Sequence, residues 1–318
     1  MADEPPFEVK LQITSLSLTD FQKLAGLPEL DGRVNATIDL HGKLNRSPLI
    51  DSDDPLGLSI TADISVTVTD LSAQDPAGVI QLGVHETSWQ GSLEATVSEA
   101  GTQYSMMGDL SVSSAAARQG ETTVIGWNKA TITGLSLDSA QNIGFSELGF
   151  RGLKLFGKES PALETTLTIT DLSLVPGQTV NLNKVDLSNI RGNLLINENG
   201  ELELLEDINN LSNAFLLDEE STGAVSAEEE TNPMAISLGG FSANGTLLFK
   251  DSSISPAFQQ EITLEEISLG TVNSAQADNP TDVKIRSSLD EYSRIDIDAS
   301  TTLLAVKPDI SSAITDKQ

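Results

Sequence analysis

From Ile60 to Thr69 the chain alternates without a break: Ile60, Ala62, Ile64, Val66 and Val68 are apolar, and the residues between them are polar. Successive side chains of an extended strand point to opposite sides, so this stretch predicts a strand with one greasy face and one wet face. The same alternation opens the chain at Phe7, Val9, Leu11 and Ile13. It returns at Val34, Ala36, Ile38 and Leu40, entered through an Asp31-Gly32 turn and closing at Gly42. Around the long strand at 58–71, further strands are expected at 79–84, 92–98, 104–113, 122–126, 129–137, 145–156, 162–174, 179–187 and 192–197. Gly, Asn and Asp punctuate them at short intervals, which favours an antiparallel meander over helix-linked parallel strands.

Helical spacing is scarce. Thr19-Asp20 reads as the cap of a short helix carrying Phe21, Leu24 and Leu27. A longer one is expected over Glu203 to Leu217, where Leu204, Ile208, Leu211 and Phe215 share a face. Ser47 to Pro55 is a Pro/Asp-rich loop, and the acidic stretch 218–233 reads as a flexible linker or loop. These divisions give a β-sheet region at 1–217, the linker, and a second β region at 234–318 that continues the sheet. Its strands are expected at 236–249, 261–272, 282–289 and 293–304, with Ile295 and Ile297 alternating against Asp296 and Asp298.

One phrase recurs at irregular spacing: Ile13-Thr14-Ser15-Leu16, Val68-Thr69-Asp70-Leu71, Ile132-Thr133-Gly134-Leu135 and Ile169-Thr170-Asp171-Leu172. In each, the apolar alternation slips by one after the Thr and its successor. Such a slip turns the strand's apolar set to the other face unless a bulge or bend absorbs it, so these sites predict bends within long strands. Their uneven spacing excludes a solenoid of equal repeats.

Composition narrows the function. The chain has 318 residues, 47 Asp and Glu against 18 Lys and Arg, and a net charge of −29. That balance repels phosphate backbones and speaks against nucleic acid as a partner. Aromatics are only 4% of the residues, so the apolar supply is Leu, Ile, Val and Ala, suited to packed strands or acyl chains. There is no cysteine, which removes disulfides, thiolate metal sites and thiol catalysis. The acidic start is unlike a signal peptide, and no window reaches the ~20 apolar residues of a membrane span. A strand pattern that opens at Phe7 favours a section cut from a longer protein.

Candidate chemistry is thin. His41 and His85 stand as single histidines near strand ends, without partners in the sequence. Asp51 to Gly57 resembles a calcium loop but places Pro55 and Leu56 where an EF-hand needs a ligand and a glycine. Asp296 and Asp298, near Asp290 and Glu291, are a paired-carboxylate candidate whose alternation puts them on a solvated face. Trp89 and Trp127 read as packing residues. With no phosphate cradle, nucleophile elbow or ligand set, the reading is of a protein that is not an enzyme, with no catalytic residues, no metal and no cofactor.

Two stretches carry a family resemblance. Phe241 to Pro256, with Asn244-Gly245 turning into Thr246-Leu247-Leu248-Phe249-Lys250-Asp251-Ser252, resembles the "G-x-L-x-F-x-D-x-S" phrase of AsmA-like proteins. Asn193 to Leu204, around Asn199-Gly200, resembles the phrase that precedes a helix in the branch carrying a domain of unknown function. Phe21 to Gly42 is similar to the superfamily's turn-strand unit. The resemblance is to the AsmA-like and TamB-like superfamily of bridge-like lipid-transfer proteins of the bacterial envelope. It implies a periplasmic section of a larger protein anchored in the inner membrane, with envelope proteins as partners. It also implies phospholipid transport between the inner and outer membranes, along an aliphatic β-groove that holds acyl chains.

Pattern and resemblance together give an all-β fold: a long antiparallel, strongly bent sheet forming an open groove or half-barrel, with one or two short helices. The lining residues expected are Val34, Ile38, Ile60, Ile64, Val66, Val68, Leu167, Ile169, Ile295 and Ile297. The rival reading is a non-catalytic, adhesin-like β-sandwich in which the same residues fill a closed core.

Overall fold

The computed structural model describes residues 7–19, 30–45, 57–74, 79–98, 101–157, 161–205, 234–290, 292–304 and 310–315. The fold is all-β: one large mixed sheet, not closed. Its first nine strands are β1 (Phe7–Ser17), β2 (Leu30–Asn45), β3 (Gly57–Gln74), β4 (Ile80–Ser98), β5 (Gly101–Gln119), β6 (Thr122–Asp138), β7 (Ile143–Gly157), β8 (Leu163–Val175) and β9 (Thr179–Ile196). Then come β10 (Ala235–Leu238), β11 (Phe241–Asp251), β12 (Phe258–Leu269), β13 (Val272–Asn273), β14 (Thr281–Ser288), β15 (Arg294–Thr301) and β16 (Ile310–Thr315). The spatial order follows the chain from β1 to β9 and continues β11-β12-β14-β15-β16.

Three pairs of strands expected separately are single long ones: 79–84 with 92–98 in β4, 122–126 with 129–137 in β6, and 179–187 with 192–197 in β9. The gaps in the pattern were real but local. His85 to Gly91 has one apolar residue, yet nearly every position from Ile80 to Ser98 is paired to a neighbour. Conversely, 236–249 divides at Gly239-Gly240 into β10 and β11. The meander is also not wholly antiparallel: β10 pairs parallel to Thr179–Leu182 of β9, and β11 parallel to its remainder. The Glu203–Leu217 helix is helical at 203–205 and otherwise lies outside the described residues, as do the acidic 218–233 segment, the 47–55 loop and most of the 19–27 helix.

The chain divides into two compact units. Unit 1 holds Met1–Gly120, Trp127–Arg151 and Ile169–Pro176; unit 2 holds Glu121–Gly126, Gly152–Thr168 and Gly177–Gln318.

The four slips in alternation coincide with four backbone inversions. Ser15, Asp70, Gly134 and Asp171, each the residue after the Thr, have φ of 52°, 52°, 64° and 50°. A single left-handed residue costs an ordinary side chain about 1–2 kcal/mol, least for Gly, Asn and Asp, which accounts for Asp70, Gly134 and Asp171. Register shows where the extra residue goes. Ile13 faces Ala36 and Leu16 faces Val34, so Thr14 and Ser15 share the single partner Asn35. In unit 2, Leu187 faces Ala243 and Ile190 faces Gly245, so Ser188 and Asn189 (φ 56°) share Asn244.

The opposing side chain completes the bulge. Asn35 Oδ1 accepts from the Ser15 N–H at 2.9 Å, Asn244 Oδ1 from the Asn189 N–H at 3.2 Å, and Asp109 Oδ1 from the Gly134 N–H at 2.8 Å. Opposite Asp70 the solution is different. Gly32 stands there, and a Cβ on it would come within 3.2 Å of the Leu71 Cα and the Thr69 carbonyl oxygen.

Acidic turns close two hairpins. Asp138 accepts from the N–H groups of Ala140 and Asn142 and from the Asn142 amide, and that side-chain bond above all holds its carboxyl below the usual range. Asp290 accepts from the N–H groups of Tyr292 and Ser293, with the same downward effect.

Two outcomes are expected. Ser15→Val should lower stability by about 1–2 kcal/mol in urea unfolding, while Ser15→Gly is neutral or stabilising; equal effects would contradict the inversion. Because the Asp138 and Asp290 carboxyls are depressed, the stability they supply is present above their ordinary value of 3.8 and lost as pH falls below it. The melting-temperature gap between wild type and Asp138→Ala/Asp290→Ala should therefore be widest near neutrality and close on acidification.

Candidate apolar binding face

The register turns the alternation of unit 1 into rows across five strands. Leu11, Ile38, Ile64, Gly91 and Gly108 form one row, and Ile13, Ala36, Val66, Trp89 and Leu110 the next. On the other side lie Val9, Leu40, Ala62, Leu93 and Met106, then Phe7, Gly42, Ile60, Ala95 and Tyr104. Val34 and Val68 add a further pair. Strand spacing and rise make this face about 19 Å wide and about 27 Å long.

Burial shows that the face is open. Only the small residues in its middle are buried, Ala36 at 8% and Ala62 at 3% exposure, shadowed by larger neighbours. Val9 is 54% and Leu11 50% exposed, and the other large residues of the rows are half-buried, apart from the exposed Tyr104. No described side chain anywhere falls below 2% exposure. A closed core would instead bury its large residues and leave small ones at the margin.

Rings cover the glycine positions. A Cβ on Gly42 would run into the Phe7 ring, and Cβ atoms on Gly91 and Gly108 would lie 2.7 Å and 2.9 Å from Cζ2 and Nε1 of Trp89. The indole thus rests on a two-glycine bed and restores apolar cover where the strands supply none. Trp127, the other tryptophan, meets Phe150 edge-on at 5.4 Å.

Six of the expected lining residues come together: Val34 and Ile38 on β2 with Ile60, Ile64, Val66 and Val68 on β3. Leu167 and Ile169 are half-buried on β8, the first in unit 2 and the second in unit 1. In unit 2, Ile297 faces Ile285 in a row with Leu187, Ala243 and Ile267. Ile295 faces Ser287 and is 41% exposed. A second row joins Val185, Phe241, Leu269, Val283 and Ala299. Trp89, Leu93, Met106 and Leu110 were missed because Gly91 and Gly108 interrupt the alternation that would have flagged them.

No family model, curated protein or solved structure matches this chain. The function therefore rests on the residues themselves.

The other chemical candidates disperse. Arg286 donates from Nη2 to both oxygens of Asp298 at 2.9 Å and 2.8 Å, and its Nε lies 3.5 Å from Asp296. Arg294 reaches Asp296 at 3.2 Å and Glu265 at 2.6 Å. Asp298, by its hydrogen bond, raises the pKa of Arg286. The carboxylate pair is thus one side of a surface charge ladder. His85 Nδ1 lies 3.5 Å from Asp70 with both side chains exposed, and His41 is exposed on β2. Among the described residues no group of three or more His, Asp or Glu is placed to hold a metal ion. The calcium-like loop, 51–57, lies outside the described residues but for Gly57.

Gly91→Ala is expected to cost about 1–3 kcal/mol in urea unfolding, because its methyl collides with the Met107 carbonyl as well as the indole. A neutral substitution would show that Trp89 does not lie on this bed.

Proposed function

We propose that the chain binds lipid, holding acyl chains against its open apolar face, as a section of an AsmA-like protein of the bacterial envelope. One observation carries the reading: aliphatic rows aligned across five strands, whose large residues are half-buried or exposed. Contiguous exposed apolar patches larger than a few hundred Å² mark interaction sites. Moving one CH₂ from water onto such a surface is worth about 0.8 kcal/mol, so a long acyl chain gains much without directional chemistry. A face about 27 Å long accommodates such a chain extended. On this proposal the protein is a holder, not an enzyme, and works in the periplasm within a larger protein anchored in the inner membrane. There it takes part in phospholipid transport between the membranes.

The test is lipid extraction and native mass spectrometry of the chain purified from a bacterial host. A phospholipid should copurify at fixed stoichiometry and be lost in Ile64→Asp/Val66→Asp, with the circular dichroism of the sheet retained. A cooperatively folding wild type that carries no lipid would sink the reading and favour a structural, interaction-bearing β-protein.

A further inference from the structure

Away from these rows, unit 1 contains a cleft of about 980 Å³ on which several features converge. Trp127 lines it, and its buried indole Nε1–H meets no acceptor. A buried indole N–H ordinarily finds one, so this donor waits for a partner. Arg118 lines the same cleft, and no carboxylate among the described residues pairs with it, although the chain carries 47 Asp and Glu. Asp31 stands at the opposite side. Its Oδ1 accepts from Thr19 Oγ1 at 2.9 Å and from the Gly32 N–H at 2.8 Å, while Oδ2 has no partner among the described residues.

Register fixes how these groups lie. Asp31, Ser72, Gly83 and Ala116 form one row across β2 to β5. Gln74, Gln81 and Arg118 form the next row on the same face. The carboxylate and the guanidinium are therefore anchored three strand spacings apart, about 14 Å, and one two-residue step along. Both residues are exposed and line the same cleft. That space is open: a Cβ on Gly83, between them, would meet nothing within 4 Å.

We propose that this cleft binds a zwitterionic phosphoester, with the phosphate on Arg118 and the Trp127 Nε1–H and the ammonium on Asp31. Arg118 and Trp127 both line the cleft and both supply donors, the guanidinium and the indole N–H. Guanidinium and phosphate match in geometry and charge. A simple anion would leave Asp31 facing it with like charge, and a neutral polyol would leave both ionic groups unpaired. A phosphate and an ammonium joined by a two-carbon spacer satisfy both. The site is independent of acyl-chain binding, because none of its groups belongs to the apolar rows.

The probe is sn-glycero-3-phosphoethanolamine, titrated by calorimetry and by the ¹H–¹⁵N signal of the Trp127 indole, assigned with Trp127→Phe. Saturable one-to-one binding is expected, with the indole signal shifting as its N–H gains an acceptor. Arg118→Ala and Asp31→Asn should each weaken binding about tenfold or more. Gly83→Phe should fill the cleft and abolish binding with the melting temperature kept. Inorganic phosphate binding as tightly as the zwitterion would overturn the role of Asp31. Binding that fails to saturate, or that survives Arg118→Ala in a folded protein, would overturn the site. Vesicles of phosphatidylethanolamine decide the source: competition with the soluble probe assigns the site to a lipid headgroup, and its absence to the free phosphoester.

Discussion

A strand inside an open sheet must satisfy its backbone N–H and C=O groups on both sides, and the rest of this molecule follows from that requirement. With no described side chain below 2% exposure, a deep core does not hold the strands in register. The ladders do, supported by cross-strand pairs such as Ile38 with Ile64 and Ile285 with Ile297, each a modest increment that long strands accumulate. This is why β4 runs uninterrupted through His85 to Gly91, where its own residues argue weakly for a strand. Its neighbours β3 and β5 need partners there, and an unmet buried amide costs more than a poor propensity gains.

Keeping one face apolar along such lengths demands correction where the alternation slips. The chain does this with single left-handed residues and assigns the cost to Ser, Asp, Asn and Gly. The freed N–H is then met across the strand gap by Asn35, Asp109 or Asn244, or the opposing residue is reduced to glycine, as at Gly32. Two chemical answers serve one geometric need: room and an acceptor opposite the extra residue.

The two kinds of face then take different work. Aliphatic rows present area without direction, which suits chains of methylene groups. The polar surface carries the specific arrangements: the ladder of Arg286, Arg294, Asp296 and Asp298 ties β14 to β15, and the cleft between Asp31 and Arg118 sets opposite charges at a fixed span. In a chain of net charge −29, an arginine that pairs with no carboxylate among the described residues is a chemical signal in its own right.

Much of this was legible in the residues. Alternation by itself determined the all-β class, the apolar identity of Ile60 to Val68, and the four sites where the backbone inverts, because strand periodicity and its slips are local properties of the chain. Tertiary structure alone decided the rest. Whether Val84 and Ser92 belong to one strand, that β10 and β11 run parallel to β9, and that Trp89 lies on Gly91 and Gly108 all depend on which strands are neighbours. The cleft was invisible for the same reason. Asp31, Gly83, Arg118 and Trp127 are scattered over nearly a hundred residues, and only register across β2 to β5 sets the first three on one face, with the indole at the same cleft.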